Sequence, residues 1–174
     1  MVKAMMAWLA VGLSSAALAD SPPDVRVDAD GTVVGRMLIE ADESDVREAI
    51  SSVQRTNVSA NVLEQRFLPD GGCTSIFRKT RGMFSPMEMN TRLCPTATGW
   101  RESLVDSSDF SAYESEWVLR PSGAGTELQL RVRSEINLAV PSALVRRGTA
   151  QGVRETFSAV LGRVLKKKSA PEEP

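Results

Sequence analysis

The sequence predicts an α+β domain of seven antiparallel strands, with one face of the sheet covered by a long C-terminal helix. Three observations carry this. Apolar and polar residues alternate in short runs between turn-forming clusters from residue 61 to residue 136. Past Pro141 the apolar period lengthens to about 3.6 residues, the repeat of an α-helix. A second, shorter amphipathic segment lies near the start of the domain.

The elements follow in order. Residues 33–39 are a β-branched, apolar run that reads as the first strand. Asp42 or Ser44 then suits the cap of a helix whose Val46, Ala49, Ile50 and Val53 recur at helical spacing. Residues 61–68 read as a strand ended by Pro69-Asp70-Gly71-Gly72, a cluster of strong turn formers. Residues 73–80 and 87–94 follow around Gly82 to Pro86, and residues 100–106 and 111–120 around Ser107-Ser108-Asp109. The seventh strand, residues 126–136, alternates most clearly: Leu128, Leu130, Val132 and Ile136 on one face, Glu127, Gln129, Arg131, Arg133 and Glu135 on the other. Such a strand has one wet face. Residues 142–166 form the long helix, with a stripe of Leu144, Val145, Val153, Phe157, Val160, Leu161, Val164 and Leu165. Gly148 and Gly152 each cost that helix about 1 kcal/mol relative to alanine, which points to a bend or a close packing contact.

The first nineteen residues read as a cleaved secretory signal peptide. Lys3 supplies the charge, residues 4–13 the apolar core, and Ala17-Leu18-Ala19 a small-x-small cleavage site. The core is too short to span a bilayer, which takes roughly 20 apolar residues. Residues 20–30 read as a flexible segment, 31–166 as the domain and 167–174 as a polar tail. The leader takes one lysine and no acid from 21 basic and 22 acidic side chains, so the remaining chain is close to neutral and carries no electrostatic footprint for nucleic acid. The sequence carries no signal for oligomeric state.

Export gives Cys73 and Cys94, the only cysteines, a disulfide as their leading reading over free thiols. Direct opposition of the two in a hairpin makes paired positions sum to a constant. That register centres the turn on Met83-Phe84 and sets Lys79 opposite Glu88. Cys73, Ser75, Lys79, Glu88, Asn90 and Arg92 then share an outer face, with Phe77 as its misfit, and Ile76, Met87, Met89 and Leu93 share the inner face with Arg78.

The stretches Ile39-Glu40-Ala41-Asp42-Glu43-Ser44-Asp45-Val46, Asn61-Val62-Leu63-Glu64, Trp117-Val118-Leu119-Arg120-Pro121 through Gly125-Thr126-Glu127-Leu128, and Val140-Pro141-Ser142-Ala143-Leu144-Val145 occur in the order and spacing found in the START and polyketide-cyclase superfamily. The chain resembles that superfamily, including its coenzyme Q-binding START-like members, from Gly31 to about Val164. The resemblance implies a helix-grip fold, a curved seven-stranded antiparallel sheet wrapped around the long C-terminal helix with an apolar cavity between them. It also implies a hydrophobic small molecule or lipid as ligand, with catalysis in a minority of members. A signal peptide departs from the usual intracellular member.

With no histidine in the chain, Ser-His-Asp and Cys-His systems and histidine-bearing metal sites are excluded. No phosphate-binding loop or dinucleotide fingerprint is present, and no cofactor or metal is expected. Asp42, Glu43 and Asp45 suit a helix cap and dipole better than a metal. The candidate cavity residues are Arg78, Met87, Met89, Tyr113, Ser115, Trp117 and Phe157. The methionines fit either an adaptable ligand surface or ordinary packing beside a turn. Tyr113, Ser115 and Trp117 alternate with Leu119 onto one strand face, as ligand contacts or as core. Arg78 suits a polar group at the cavity or a rim position paired with an acid. The function expected is non-enzymatic binding of a hydrophobic ligand by an exported protein. A cyclase- or hydrolase-type enzyme using the same cavity is the alternative. A third reading is an envelope accessory protein meeting a membrane surface or a protein partner through Lys166-Lys167-Lys168, a triplet that equally suits a solvated helix end.

Overall fold

A computed structural model describes residues 22–56, 61–82, 85–123 and 125–169; the leader read at residues 1–19 and the turn read at Met83-Phe84 lie outside them. The strands are β1 (Asp24–Val27), β2 (Val33–Ile39), β3 (Val62–Asp70), β4 (Cys73–Arg81), β5 (Pro86–Thr96), β6 (Gly99–Asp106), β7 (Phe110–Ser122) and β8 (Gly125–Ile136). Helix α1 (Glu43–Gln54) follows β2, and α2 (Ser142–Ser169) ends the described chain. All eight strands form one antiparallel sheet in the order β1-β2-β8-β7-β6-β5-β4-β3.

The sheet has eight strands where the sequence reading has seven. The extra one lies in the segment read as flexible. Val25 and Val27 alternate there, and Asp28 to Thr32 close a tight turn in which Asp30 accepts hydrogen bonds from the Thr32 backbone N–H and hydroxyl, each at 3.0 Å. These bonds hold the Asp30 carboxyl below its ordinary range. The strand is short, and pairing with β2 rather than its own composition makes it a strand.

β3 runs through Pro69 to Asp70, past the expected stop. It is an edge strand, where a proline's missing N–H breaks no ladder. Gly71 and Gly72, with φ of 54° and 85°, then make the two-residue turn into β4, a conformation that favours glycine at both positions.

The core is built on one half of the sheet. Val33, Met37 and Ile39 of β2, Trp117 and Leu119 of β7, and Leu128, Leu130 and Val132 of β8 pack against α1 and α2. Helix α2 contributes Ala150, Val153, Phe157, Val160 and Val164, all buried. Phe157 is fully buried and meets Trp117 edge to face at 6.5 Å. Gly35 admits this contact, since a Cβ there would stand 2.2 Å from the Phe157 ring and 2.6 Å from Val153. Leu144 and Leu165 fall one step off the buried row and are exposed.

Helix α2 continues to Ser169, into the residues read as tail. Lys167 donates to Asp45 at 2.9 Å and Glu48 at 2.5 Å, and Lys168 to the Glu40 carbonyl, so the basic end is fastened to the α1 region. These bonds raise the Lys167 pKa well above the ordinary lysine value.

Candidate functional site

Strands β3 to β5 contribute nothing to the main core. Their concave faces instead border two cavities. The first, about 420 Å³, lies between the sheet, the end of α1 and one face of α2. Met89, Tyr113, Ser115, Trp117, Leu130 and Val132 wall it on the sheet side. On α2, Gly148 and Gly152 stand one turn apart at its edge, and a Cβ at either would find nothing within 4 Å. The close packing contact expected at these glycines is found at Gly35 instead. What Gly148 and Gly152 leave is space.

Set in the wall is a polar cluster. Arg78 of β4 forms an ion pair with Glu102 of β6, and their side chains are only 14% and 6% exposed. Glu102 also accepts a hydrogen bond from the Thr91 hydroxyl and a longer one, 3.4 Å, from Ser115. Burial works against the Arg78 charge, but Glu102 and Tyr113 outweigh it and lift the guanidinium above its ordinary pKa. Tyr113 is pushed up to about 12, first by burial and then by the Glu102 charge, with Arg78 pulling the other way. Tyr113 as a residue is only half-buried, because part of its surface faces the cavity.

Of the seven residues named from the sequence, Arg78, Met89, Tyr113, Ser115 and Trp117 line this cavity. Phe157 does not; it is core, capped by Trp117 and Gly35. Met87 also stands outside the lining, opposite Thr80 and beside Gly82. Arg78 combines both roles weighed for it, at the cavity and paired with an acid. Glu102 was missed, although an acid spaced two residues from Trp100 and from Leu104 in a strand is a readable sign of a buried carboxylate.

The second cavity, about 690 Å³, lies toward the other end of β3 to β5, among Ser51, Phe67, Cys73, Leu93, Pro95 and Trp100. Cys73 and Cys94 form a disulfide with a Cα separation of 4.3 Å, and the β4–β5 register places Thr74 opposite Leu93 and Lys79 opposite Glu88, 2.6 Å apart. Phe77, the misfit of the outer face, is covered by the guanidinium of Arg66, its cross-strand partner, at 4.6 Å. Gln54, the last residue of α1, borders both cavities, and its side-chain nitrogen is buried without a hydrogen-bond partner. An unpaired buried donor costs about 1 to 3 kcal/mol. Among the described residues, no cluster of three or more His, Cys, Asp or Glu is placed to hold a metal, and no helix is long and apolar enough to cross a membrane.

The fold is the helix-grip fold of START-like proteins. It is similar to that of the Zhui aromatase/cyclase from Streptomyces sp. R1128, at a TM-score of 0.65 and 14% identity over 82% of this chain and 98% of that one. A START superfamily protein from Mycobacterium smegmatis matches at a TM-score of 0.62 and 16% identity, over 78% of this chain and 97% of that one. A STAR-related lipid transfer protein from Xanthomonas axonopodis matches at 0.59 and 13%, over 83% and 99%. No family model matches the sequence, and a search of curated proteins finds no match. At these identities the likeness is one of fold.

Proposed function

We propose that the protein binds a hydrophobic small molecule or lipid in the cavity between the sheet and α2, and that it does so after export. The observation that carries this reading is the space itself: a cavity of about 420 Å³ is bordered on the helix by two glycines, each disfavoured by about 1 kcal/mol, at which a Cβ would meet nothing within 4 Å. That volume is in the range of small-molecule sites, which combine apolar walls with a few polar groups that set orientation. Met89, Trp117, Leu130 and Val132 supply the first, Arg78, Glu102 and Tyr113 the second. Apolar ligand surface leaving water would supply the affinity, at about 25 cal/mol per Å². The names of the fold neighbours, a lipid transfer protein and an aromatase/cyclase, agree with a hydrophobic ligand. Export is supported by the disulfide, a bond that persists in oxidising compartments.

Native mass spectrometry and lipid extraction of the full chain purified from its own compartment test the reading. A retained lipid that is lost in Gly152→Trp, where the indole fills the cavity, is the expected result. A protein that carries no lipid and binds no apolar fluorophore such as N-phenyl-1-naphthylamine overturns it.

The cluster of Arg78, Glu102 and Tyr113 favours one second reading, a cyclase-type enzyme in the same cavity. A phenol kept protonated beside a buried carboxylate is an arrangement suited to acid and base roles. On that reading Tyr113→Phe abolishes turnover and spares binding.

A further inference from the structure

We propose that the second cavity, beside the disulfide, is a binding site in its own right for an apolar monocarboxylate, a hydrocarbon body bearing one carboxylate, and that Arg55 receives the carboxylate. The proposal does not depend on what the first cavity holds.

The lining divides into an apolar body and a single charge. Phe67, Leu93, Pro95 and Trp100 present hydrocarbon and aromatic surface to a space of about 690 Å³, a size suited to a small molecule. Trp100 is held by the Arg47 guanidinium, 5.1 Å from the centre of its ring, and Arg47 is itself paired with Glu43 at 2.7 Å. With Cys73 oxidised, Arg55 is the one ionisable side chain among the described residues that line this space. It caps the C-terminal end of α1, where its Nε donates to the Ser51 carbonyl at 3.1 Å. That bond anchors the guanidinium beside the cavity and leaves its two terminal nitrogens to a second partner. No carboxylate among the described residues pairs with them, and residues 57–60, next along the chain, contain no acid. The first cavity is the contrast, since its Arg78 is already met by Glu102. A guanidinium fork with open N–H groups matches a carboxylate in two parallel charge-assisted bonds. An alcohol offers it no charge.

The test is titration calorimetry of the full-length protein at neutral pH with decanoate and with 1-decanol, which has the same chain and no charge. Arg55→Gln should weaken decanoate about tenfold or more, the value of a hydrogen bond to a charged group, and leave 1-decanol where it was. The Arg55 side chain is exposed, so this variant folds as the wild type does. Gly152→Trp, which fills the first cavity, should leave decanoate binding intact. In nitrogen–proton correlation spectra decanoate should shift the Trp100 indole, assigned with Trp100→Phe, and not that of Trp117 at the first cavity. Absence of decanoate binding, equal weakening of acid and alcohol in Arg55→Gln, no weakening of either, or a shift at Trp117 in place of Trp100 overturns the proposal. Decanoate binding that Gly152→Trp abolishes and Arg55→Gln spares places the acid in the first cavity, so that this proposal falls and the first-cavity reading stands.

Discussion

The half of the sheet made by β1, β2, β7 and β8 and the half made by β3 to β6 bury their inner faces in different ways. In the first, α2 lies on the strands, Phe157 is sealed against Trp117 and Gly35, and the contacts are hydrocarbon on hydrocarbon. In the second, Ile76, Met89 and Leu93 are buried yet stand apart from that cluster, beside an ion pair and two cavities. What a dense core supplies to one half, a covalent bond and a polar network supply to the other. The first cavity lies on the seam between the halves, walled by β7 and β8 as well as by β4 to β6, and the second meets the sheet only on the β3 to β6 side.

The sharpest way to break this contrast is on the packed side. Phe157→Ala should lower unfolding free energy by about 3 to 5 kcal/mol in denaturant titrations, as expected for a fully buried ring. A loss below about 1 kcal/mol would mean that the helix does not grip. On the open side, the Cys73→Ser, Cys94→Ser pair should cost about 3 kcal/mol by the chain-entropy estimate for a bridge spanning 21 residues. Thiol alkylation followed by mass measurement should find no reactive thiol before reduction. Two would remove the staple from the comparison.

The polar network gives a pH test. Tyr113 is the only tyrosine in the chain, so ultraviolet titration reads it alone. Its folded pKa stands at about 12 against an ordinary value of 10.0, so the folded state holds the phenolic proton more tightly than the unfolded state. The stability this contributes is complete below pH 10 and is lost as pH rises from 10 toward 12. A native-state midpoint near 10 would place the phenol in open water. The smallest effect has the opposite sign: Gly152→Ala should stabilise α2 by up to about 1 kcal/mol, because the added methyl enters free space. Destabilisation would mean that the space is filled.

The two halves also differ in how legible they were. The packed half follows rules that need only periodicity: Val46, Ala49, Ile50 and Val53 at helical spacing and Leu128, Leu130 and Val132 in alternation are all buried. The β4–β5 register was readable because two cysteines pin a single alignment. β1 was missed because four residues carry too little pattern against a turn-rich background, and only pairing makes them a strand. Phe157 was assigned to the cavity because its stripe gives a helix face but not the depth at which the sheet meets it, a depth set by Gly35 far away in sequence. Glu102 is set by what lies across from it, Arg78 two strands away, which alternation along one strand does not encode.

The single crossover in the sheet has a kinetic consequence. Every pairing from β3 to β8 joins neighbours in the chain, whereas β2 reaches β8 only by closing a loop that contains α1 and five strands. Local hairpins form early and long loops close late. In refolding, the meander with its disulfide should acquire hydrogen-exchange protection first, and β2 should acquire it last, when Val33 meets Val132. Until then the chain exposes the β2-facing edge of β8, which makes that edge the segment most open to pairing with another molecule during folding.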